Sequence, residues 1–251
     1  MIFRFFHRFK DRRGIAAVEF ALVMPILLVL FIGTIEILTL YRAEAKLNAL
    51  TINVAQMVAI QNQSTTNGIS TLPAAGTGQA SLQNICQGAI LGMAPFPAEG
   101  MILNIAGVTL ESSPNGLPKT STAYSTANSY DVWENDFAVS GGSCTASTNA
   151  AAIGASGAES AATTSPPSTT GAAGGISGLL AVPCDNAIIV QASIIYPGIL
   201  GIILQTRPTL TQWAYTRWRY AGTTTELQCS GCSLTSNAAK QVCNSSNTAT
   251  N

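Results

Sequence analysis

The sequence predicts an α+β protein. A long N-terminal transmembrane helix precedes a small outer domain with a short helix and an antiparallel sheet, which a low-complexity insertion interrupts. Three observations predict this fold: residues 15–41 are mostly apolar, residues 79–94 place apolar side chains at helical spacing, and residues 187–196 alternate at strand spacing. A chain of 251 residues is long enough for one or two domains.

The first predicted helix covers residues 15–61. Residues 20–35 carry no charge, and a membrane-spanning helix needs about 20 mostly apolar residues. Pro25 falls inside this part, where a membrane helix tolerates a kink. Beyond the membrane the helix carries an apolar stripe at spacings of three and four residues. Its members are Ala43, Leu47, Leu50, Val54, Met57 and Val58.

The charges around the apolar run predict its orientation. The head, residues 1–14, holds one acid, Asp11, and five basic residues: Arg4, Arg8, Lys10, Arg12 and Arg13. After the run come Arg42 and Lys46, and then no basic residue before Lys119. The positive-inside rule puts the N-terminus in the cytoplasm and the rest of the chain outside. Residues 43–45 also mimic a signal-peptidase site, but the apolar run exceeds the core of about 7–15 residues typical of a cleaved signal.

The outer domain is predicted to cover residues 79–222. Its helix, 79–94, ends before Pro95 and Pro97. The predicted strands are 101–110, 130–139, 187–196 and 210–220. Three segments are predicted to lack regular structure: a polar linker at 64–78, a flexible insertion at 141–178 rich in Ala, Gly, Ser and Thr, and a polar, cysteine-containing tail at 223–251. The short apolar stretch 197–204 either packs in the core or presents a patch to a partner or the membrane.

All six cysteines lie on the predicted outer side: Cys86, Cys144, Cys184, Cys229, Cys232 and Cys243. An even number in an extracytoplasmic domain indicates disulfides. The order along the chain suggests a Cys144–Cys184 bond and a local bond among the last three. Cys229 and Cys232 have CxxC spacing, but the βαβ context of a redox motif is absent, so a structural disulfide is expected.

Other candidate chemistry is weak. The single histidine, His7, precedes the membrane segment, which excludes a histidine-dependent catalytic site outside; a Ser-Lys site with Lys119 or Lys240 is not excluded. The acids Asp131, Glu134 and Asp136 lack the spacing of a calcium loop and are expected on a solvated strand edge. With 12 Lys+Arg balanced by 12 Asp+Glu, nothing indicates nucleic-acid binding. We therefore expect no enzyme, no metal, no cofactor and no small-molecule substrate.

The entrance of the apolar run carries the most specific motif. Gly14 is followed by Ile15 and, one helical turn later, by Glu19. Cutting after Gly14 would free an α-amine on Ile15, and the Glu19 carboxylate would lie roughly 6 Å further along the helix axis. The two charges could pair within one subunit or between neighbours. The alternative to charge pairing is that Glu19 lies at the level of the lipid headgroups and its carboxylate reaches water.

This segment resembles the TadE/TadG family of pseudopilins from tight-adherence (Flp) pilus systems. The resemblance rests on Gly14-Ile-Ala-Ala-Val-Glu-Phe-Ala-Leu-Val-Met-Pro and on a second glutamate, Glu36, and Tyr41 near the helix exit; it is dense over residues 12–46. It implies cleavage by a prepilin peptidase between Gly14 and Ile15, and charge pairing during assembly by Glu19 and Glu36. Type IV pilins favour Phe or Met after the cut, whereas this chain has Ile15.

The resemblance also implies a setting. The protein would be a single-pass inner-membrane protein of a Gram-negative bacterium, with a periplasmic C-terminal domain and with other Tad pilus subunits as partners. Its role would be structural, in a pilus or a related secretion machine. An unprocessed membrane-anchored adhesin or scaffold is the alternative, and it would keep residues 1–14.

Overall fold

The structure is a computed structural model. It describes residues 12–61, 64–66, 69–73, 81–111, 128–147, 153, 160–161, 186–198, 207–219, 227–230, 232, 242–243 and 249–250. The chain divides into two compact units. One comprises residues 1–43 and 196–208, and the other comprises residues 44–195 and 209–251.

The first helix, α1, runs unbroken from Arg12 to Ala59 with Pro25 inside it. Its 48 residues span roughly 72 Å at the usual rise per residue. The predicted helix, 15–61, is confirmed with small shifts at both ends.

The unit of residues 44–195 and 209–251, called the outer unit after its predicted location, is built on an antiparallel sheet. Its strands are β3 (Ile102–Glu111), β4 (Asn128–Ser140), β5 (Ser143–Ala146), β6 (Ser160–Ala161), β7 (Asn186–Ile195) and β8 (Thr209–Arg217). They lie in the order β5-β4-β3-β7-β8, and β6 also pairs with β4. All four predicted strands are confirmed, as β3, β4, β7 and β8. The α+β class is confirmed with them.

One face of this sheet packs against two helices. The stripe on α1 is buried at Leu47, Leu50, Val54 and Val58, while Met57 remains 37% exposed. The second helix, α2 (Leu82–Gly92), buries the face predicted for it. Its first turn is capped by Ser81, whose side chain accepts a hydrogen bond from the Asn84 backbone amide. Together they form one core with the side chains of this sheet face, including Leu103, Trp133, Phe137 and Val190.

Two segments expected to lack regular structure contain strands. Within the predicted linker 64–78, β1 (Ser64–Thr66) and β2 (Ile69–Pro73) form an antiparallel pair. In the tail, β9 (Leu227–Ser230) pairs in parallel with β2, and β10 (Val242–Cys243) pairs with β11 (Ala249–Thr250). Strands β2 and β9 lie over 150 residues apart along the chain, so local composition could not reveal that they pair.

Parts of the segment 141–178 also depart from the expected flexible insertion. Gly141 and Gly142, with φ of 57° and 74°, form the two-residue turn that joins β4 to β5. Ile153 is 1% exposed and packs on the second face of the sheet with Ala106, Val108 and Ile189. The other residues of the insertion, apart from Ser143–Ser147, Ser160 and Ala161, lie outside the described residues.

Two disulfides are described. Cys86 of α2 bonds to Cys144 of β5, so the suggested Cys144–Cys184 bond is wrong. Chain order could not show that α2 lies over the β4–β5 turn. The same junction carries hydrogen bonds from Gln83 Nε2 to the Cys144 carbonyl (3.1 Å) and from the Cys144 amide to Gln87 Oε1 (3.2 Å). The expected local bond is confirmed as Cys229–Cys232. Cys184 lies outside the described residues.

Removing the Cys86–Cys144 bond should destabilise the outer unit strongly. The bond closes a segment with a separation of 58 residues, and losing a native disulfide typically costs about 2–5 kcal/mol. The double variant Cys86→Ala, Cys144→Ala should therefore unfold at lower denaturant concentration than the parent. The matched control is Cys229→Ala, Cys232→Ala, which opens a separation of only three and should cost less. Equal losses from the two variants would contradict this prediction.

Gly107 is predicted to tolerate no side chain. A Cβ atom at this position would clash with Nε1 and Cε2 of the indole ring of Trp133, which faces it across the β3–β4 pair. Overpacking a core typically costs about 1–3 kcal/mol, so Gly107→Ala should lower the free energy of unfolding by about that amount.

The control for this variant is Gly88→Ala in α2. A Cβ at Gly88 meets no atom within 4 Å, and replacing a helical glycine by alanine typically gains about 0.5–1 kcal/mol. Chemical denaturation followed by tryptophan fluorescence measures both variants. A Gly107→Ala protein as stable as the parent would show that Trp133 does not lie against this backbone.

Candidate functional site

The first half of α1 is apolar and uncovered. Residues 17–31 are exposed on every side of the helix, including Phe20, Leu22 and Phe31 at 64–68%. The structure describes one helix that is long and apolar enough to cross a membrane, with a mean hydropathy of 2.5 and only 6% of its most apolar window buried. A core helix of a soluble domain would be mostly buried. A continuous apolar surface of this kind indicates contact with lipid or with other apolar helices.

Gly14, Ile15 and Glu19 lie on this exposed helix. The backbone is already helical at Gly14, so four residues of helical rise, roughly 6 Å, separate Ile15 from Glu19. The Glu19 side chain is exposed. The helix therefore brings the predicted cleavage position and the first predicted pairing residue within one turn of each other.

Glu36 has a different environment. It follows Glu19 by 17 residues, or roughly 25 Å along the helix axis. It is 1% exposed, and neither of its carboxylate oxygens has a hydrogen-bond partner among the described residues. Burying an ionisable group without a partner is costly. The second predicted pairing residue is thus enclosed, and its carboxylate is unpaired among the residues that the structure describes.

The residues next to Glu36 tie another part of the chain to α1. Thr39 Oγ1 donates to the carbonyls of Ile35 and Glu36, both at 2.9 Å. The Tyr196 hydroxyl donates to Thr39 Oγ1 at 2.9 Å. Tyr196 belongs to the same compact unit as the start of α1. The apolar stretch 197–204 begins directly after Tyr196, but residues 199–206 lie outside the described residues. Tyr41, by contrast, is 69% exposed.

The acids Glu134 and Asp136 do not lie on a solvated edge, and that prediction is wrong. Strand β4 pairs with β3 along its length and with β5 only from Phe137 to Ser140, but the two side chains are 0% and 2% exposed. Edge position depends on which distant strands pair, so the local run of polar residues misled the prediction. The side chain of Asp131 is outside the described residues.

Both acids face the second side of the sheet, where two amide residues join them. Asn104 of β3 lies directly between Asp136 of β4 and Gln191 of β7 in the strand register. Its Nδ2 donates to Gln191 Oε1 at 2.9 Å. The Ile153 amide donates to Glu134 Oε1 at 3.2 Å. Sequence reasoning missed Asn104 and Gln191. The available signal was an amide side chain in the middle of a mostly apolar run of each strand.

The environment of Asp136 favours its protonated form. Burial, then the charge of Glu134 and a hydrogen bond to Glu134 together raise the pKa of Asp136 to about 8. On the facing strands, the neighbouring groups in register are the neutral amides Asn104 and Gln191. The outer unit thus holds a proton that an unfolded chain would release near the ordinary value of 3.8.

This proton predicts how stability depends on pH. Between about pH 4 and pH 8 the folded protein binds one proton more than the unfolded chain, so stability should fall as the pH rises through this range. Asp136→Asn should remove this part of the slope, because the amide can still donate to Glu134 but does not titrate. Thermal unfolding of both proteins across this range, in buffer with a chelator, measures the effect. Parallel pH profiles for the two proteins would contradict the prediction.

Comparison with known proteins identifies only the N-terminal part of the chain. The family described as TadE-like protein matches residues 14–55. The match covers the exposed apolar segment with Glu19 and Glu36, and most of the stripe buried in the outer unit. A search of curated proteins gave no match. A search of solved structures gave none either. The exposed helix, its two glutamates and this match agree with the resemblance found in the sequence: residues 14–55 form a TadE-like segment.

Proposed function

We propose that this protein is a structural component of a tight-adherence pilus or a related secretion machine, and that it acts as a TadE-like pseudopilin. The observation that carries the proposal is the uncovered apolar half of α1, which coincides with the TadE-like match. The uncovered residues 17–31 extend roughly 22 Å along the helix axis, which is most of the roughly 30 Å of a bilayer core. A chain whose identified segment is such a helix is suited to assembly rather than to catalysis.

The orientation in this proposal follows from charge. The basic head, residues 1–14, stays in the cytoplasm, and the sheet domain lies in the periplasm. The two disulfides of the outer unit support this compartment, because disulfides persist in oxidising environments. Neighbouring pilus subunits and the inner membrane are the partners, and a prepilin peptidase is the processing enzyme.

The proposed assembly step uses Glu19. Cleavage after Gly14 leaves a charged amine on Ile15, and an unpaired ionisable group inside a bilayer costs on the order of 2.5–3.5 kcal/mol. The exposed Glu19 carboxylate is one turn away, so it can neutralise that amine in the same subunit or in a neighbour. Glu36 has no partner among the described residues.

The test is a set of variants expressed in the native host. Gly14→Leu places a bulky side chain at the scissile bond and should block cleavage, so the protein should keep its first 14 residues. Glu19→Ala removes the partner of the new amine, so cleavage should persist while assembly fails. Glu19→Asp should restore assembly only in part, because the shorter side chain reaches less far. Intact mass of the membrane protein and counts of surface pili measure the two steps.

The matched control is Glu44→Gln. Glu44 is exposed on the same helix, and its Oε1 accepts from Gln212 Nε2 at 3.1 Å, a bond that a glutamine oxygen can keep. This variant should be cleaved and assembled normally. A Gly14→Leu protein of unchanged mass with normal pili would mean that α1 is an ordinary anchor. That result would favour an unprocessed membrane-anchored adhesin or scaffold.

A further inference from the structure

A groove runs between the C-terminal half of α1 and α2. Its volume is about 470 Å³, many times the roughly 10–15 Å³ that a single water molecule needs. Buried Leu50, Val54 and Ala89 form its floor, so it offers few polar groups that would hold ordered water. Gly88 and Gly92 line the wall on the α2 side, and neither adds a side chain. The groove is therefore an apolar slot with room for the side chains of another segment.

The rim of the groove combines exposed apolar and polar side chains. Met57 and Ile60 line it and are 37% and 64% exposed. Leu91, which lies between the two glycines along α2, is 77% exposed. The polar residues Asn53 and Gln56 also line the groove. An apolar centre with a polar rim is the composition of protein–protein contact surfaces.

Another side of α1 carries an exposed ridge. Five exposed residues follow one another along it at spacings of three and four: Ile37, Tyr41, Ala45, Asn48 and Ile52. Residues so spaced share one side of a helix. This side lies roughly 130° around the helix axis from the side that lines the groove. None of the five residues is charged, so the ridge can enter an apolar groove without burying an unpaired charge.

We propose that the groove binds the α1 ridge of a second copy of this chain. The inference rests on the proposed function, which brings copies side by side in one membrane and so makes their α1 helices parallel. Helices that pack together lie about 8–10 Å apart. Beyond Phe31 at the end of the uncovered segment, α1 continues to Ala59, over roughly 42 Å. A neighbour's helix that packs in the membrane is thus long enough to reach the groove.

The arrangement of groove and ridge favours a second copy, because each copy carries both surfaces. They lie on different sides of one helix, so the contact is heterologous: a copy gives its ridge to one neighbour and its groove to the other. Such a contact repeats from copy to copy and generates a ring or an open helical array. Within the ridge, the short side chains of Ala45 and Asn48 permit close approach to the glycine wall, while Tyr41 and Ile52 supply volume. An amphipathic helix bound in an apolar groove is a recurring mode of recognition.

A photo-cross-linking amino acid tests the contact in the full-length protein, in membranes of the native host. Placed at Asn53, which is exposed and lines the groove, it should join two copies, with its attachment point between residues 37 and 52 of the second copy. Placed at Asn48, on the ridge, it should attach to groove residues of the next copy. Mass spectrometry of the cross-linked peptides locates both attachment points. Attachment to a different protein, attachment of groove to groove, or no product that joins two copies would overturn the proposal.

Filling the groove should prevent the contact. A Cβ at Gly88 meets no atom within 4 Å, so Gly88→Leu extends a side chain into the groove without a clash at its base. This variant should unfold at a temperature no lower than the parent and should lose most of the product cross-linked from Asn53. The matched control is Thr211→Leu, which adds the same side chain at an exposed position on β8 and should keep the product. A folded Gly88→Leu protein that still cross-links fully would overturn the proposal. If that variant does not fold, the two attachment points decide.

The same samples separate this inference from the proposed function. Groove-to-ridge cross-links in a protein that keeps its first 14 residues and forms no pili would support the contact and contradict the proposed function. Normal processing and normal pili without these cross-links would contradict the contact and leave the proposed function standing.

Discussion

The apolar surface of residues 17–31 is the constraint on which the rest of this structure depends. An uncovered apolar surface of this length is unfavourable in water, so it indicates contact with lipid or with other apolar helices. In the proposed topology the basic head keeps the N-terminus inside, so the outer unit lies on the oxidising side, which agrees with its disulfides. The apolar surface also explains why Glu19 and Glu36 are candidate functional residues. Carboxylates on an ordinary surface helix would need no explanation, whereas on this helix each needs a partner.

Periodicity along the chain predicted most of the fold. Helix α1, helix α2 and the four long strands were predicted because their apolar residues recur at a helical or a strand spacing over ten residues or more. The stripe on α1 was predicted for the same reason, and Met57 was the member that the structure leaves exposed. The short strands β1, β2 and β9 were missed because three to five residues carry no measurable period, and because β2 and β9 meet only through the fold.

Of the candidate functional residues, those on a single helix could be predicted from the sequence, and those on separate strands could not. Gly14, Ile15, Glu19 and Glu36 lie on one helix, so local spacing was enough to relate them. The buried group on the sheet comes from separate strands, and sequence alone did not relate Asn104 to Asp136. Polar residues in β4 were interpreted as a solvated edge, because a strand with acids on one face usually borders water. The second face is instead covered, in part by Ile153 from a segment whose composition indicates disorder.

The link between α2 and the β4–β5 turn bears on how the outer unit matures. Cys86 and Cys144 are neighbours in the order of cysteines along the chain. In the proposed topology the chain crosses the membrane with Cys86 ahead of Cys144, and both are outside before Cys184 emerges. An oxidant that joins cysteines in their order of arrival therefore makes the native bond at its first opportunity. Biogenesis of this domain would then need a donor of oxidising equivalents, but no later reshuffling of this pair.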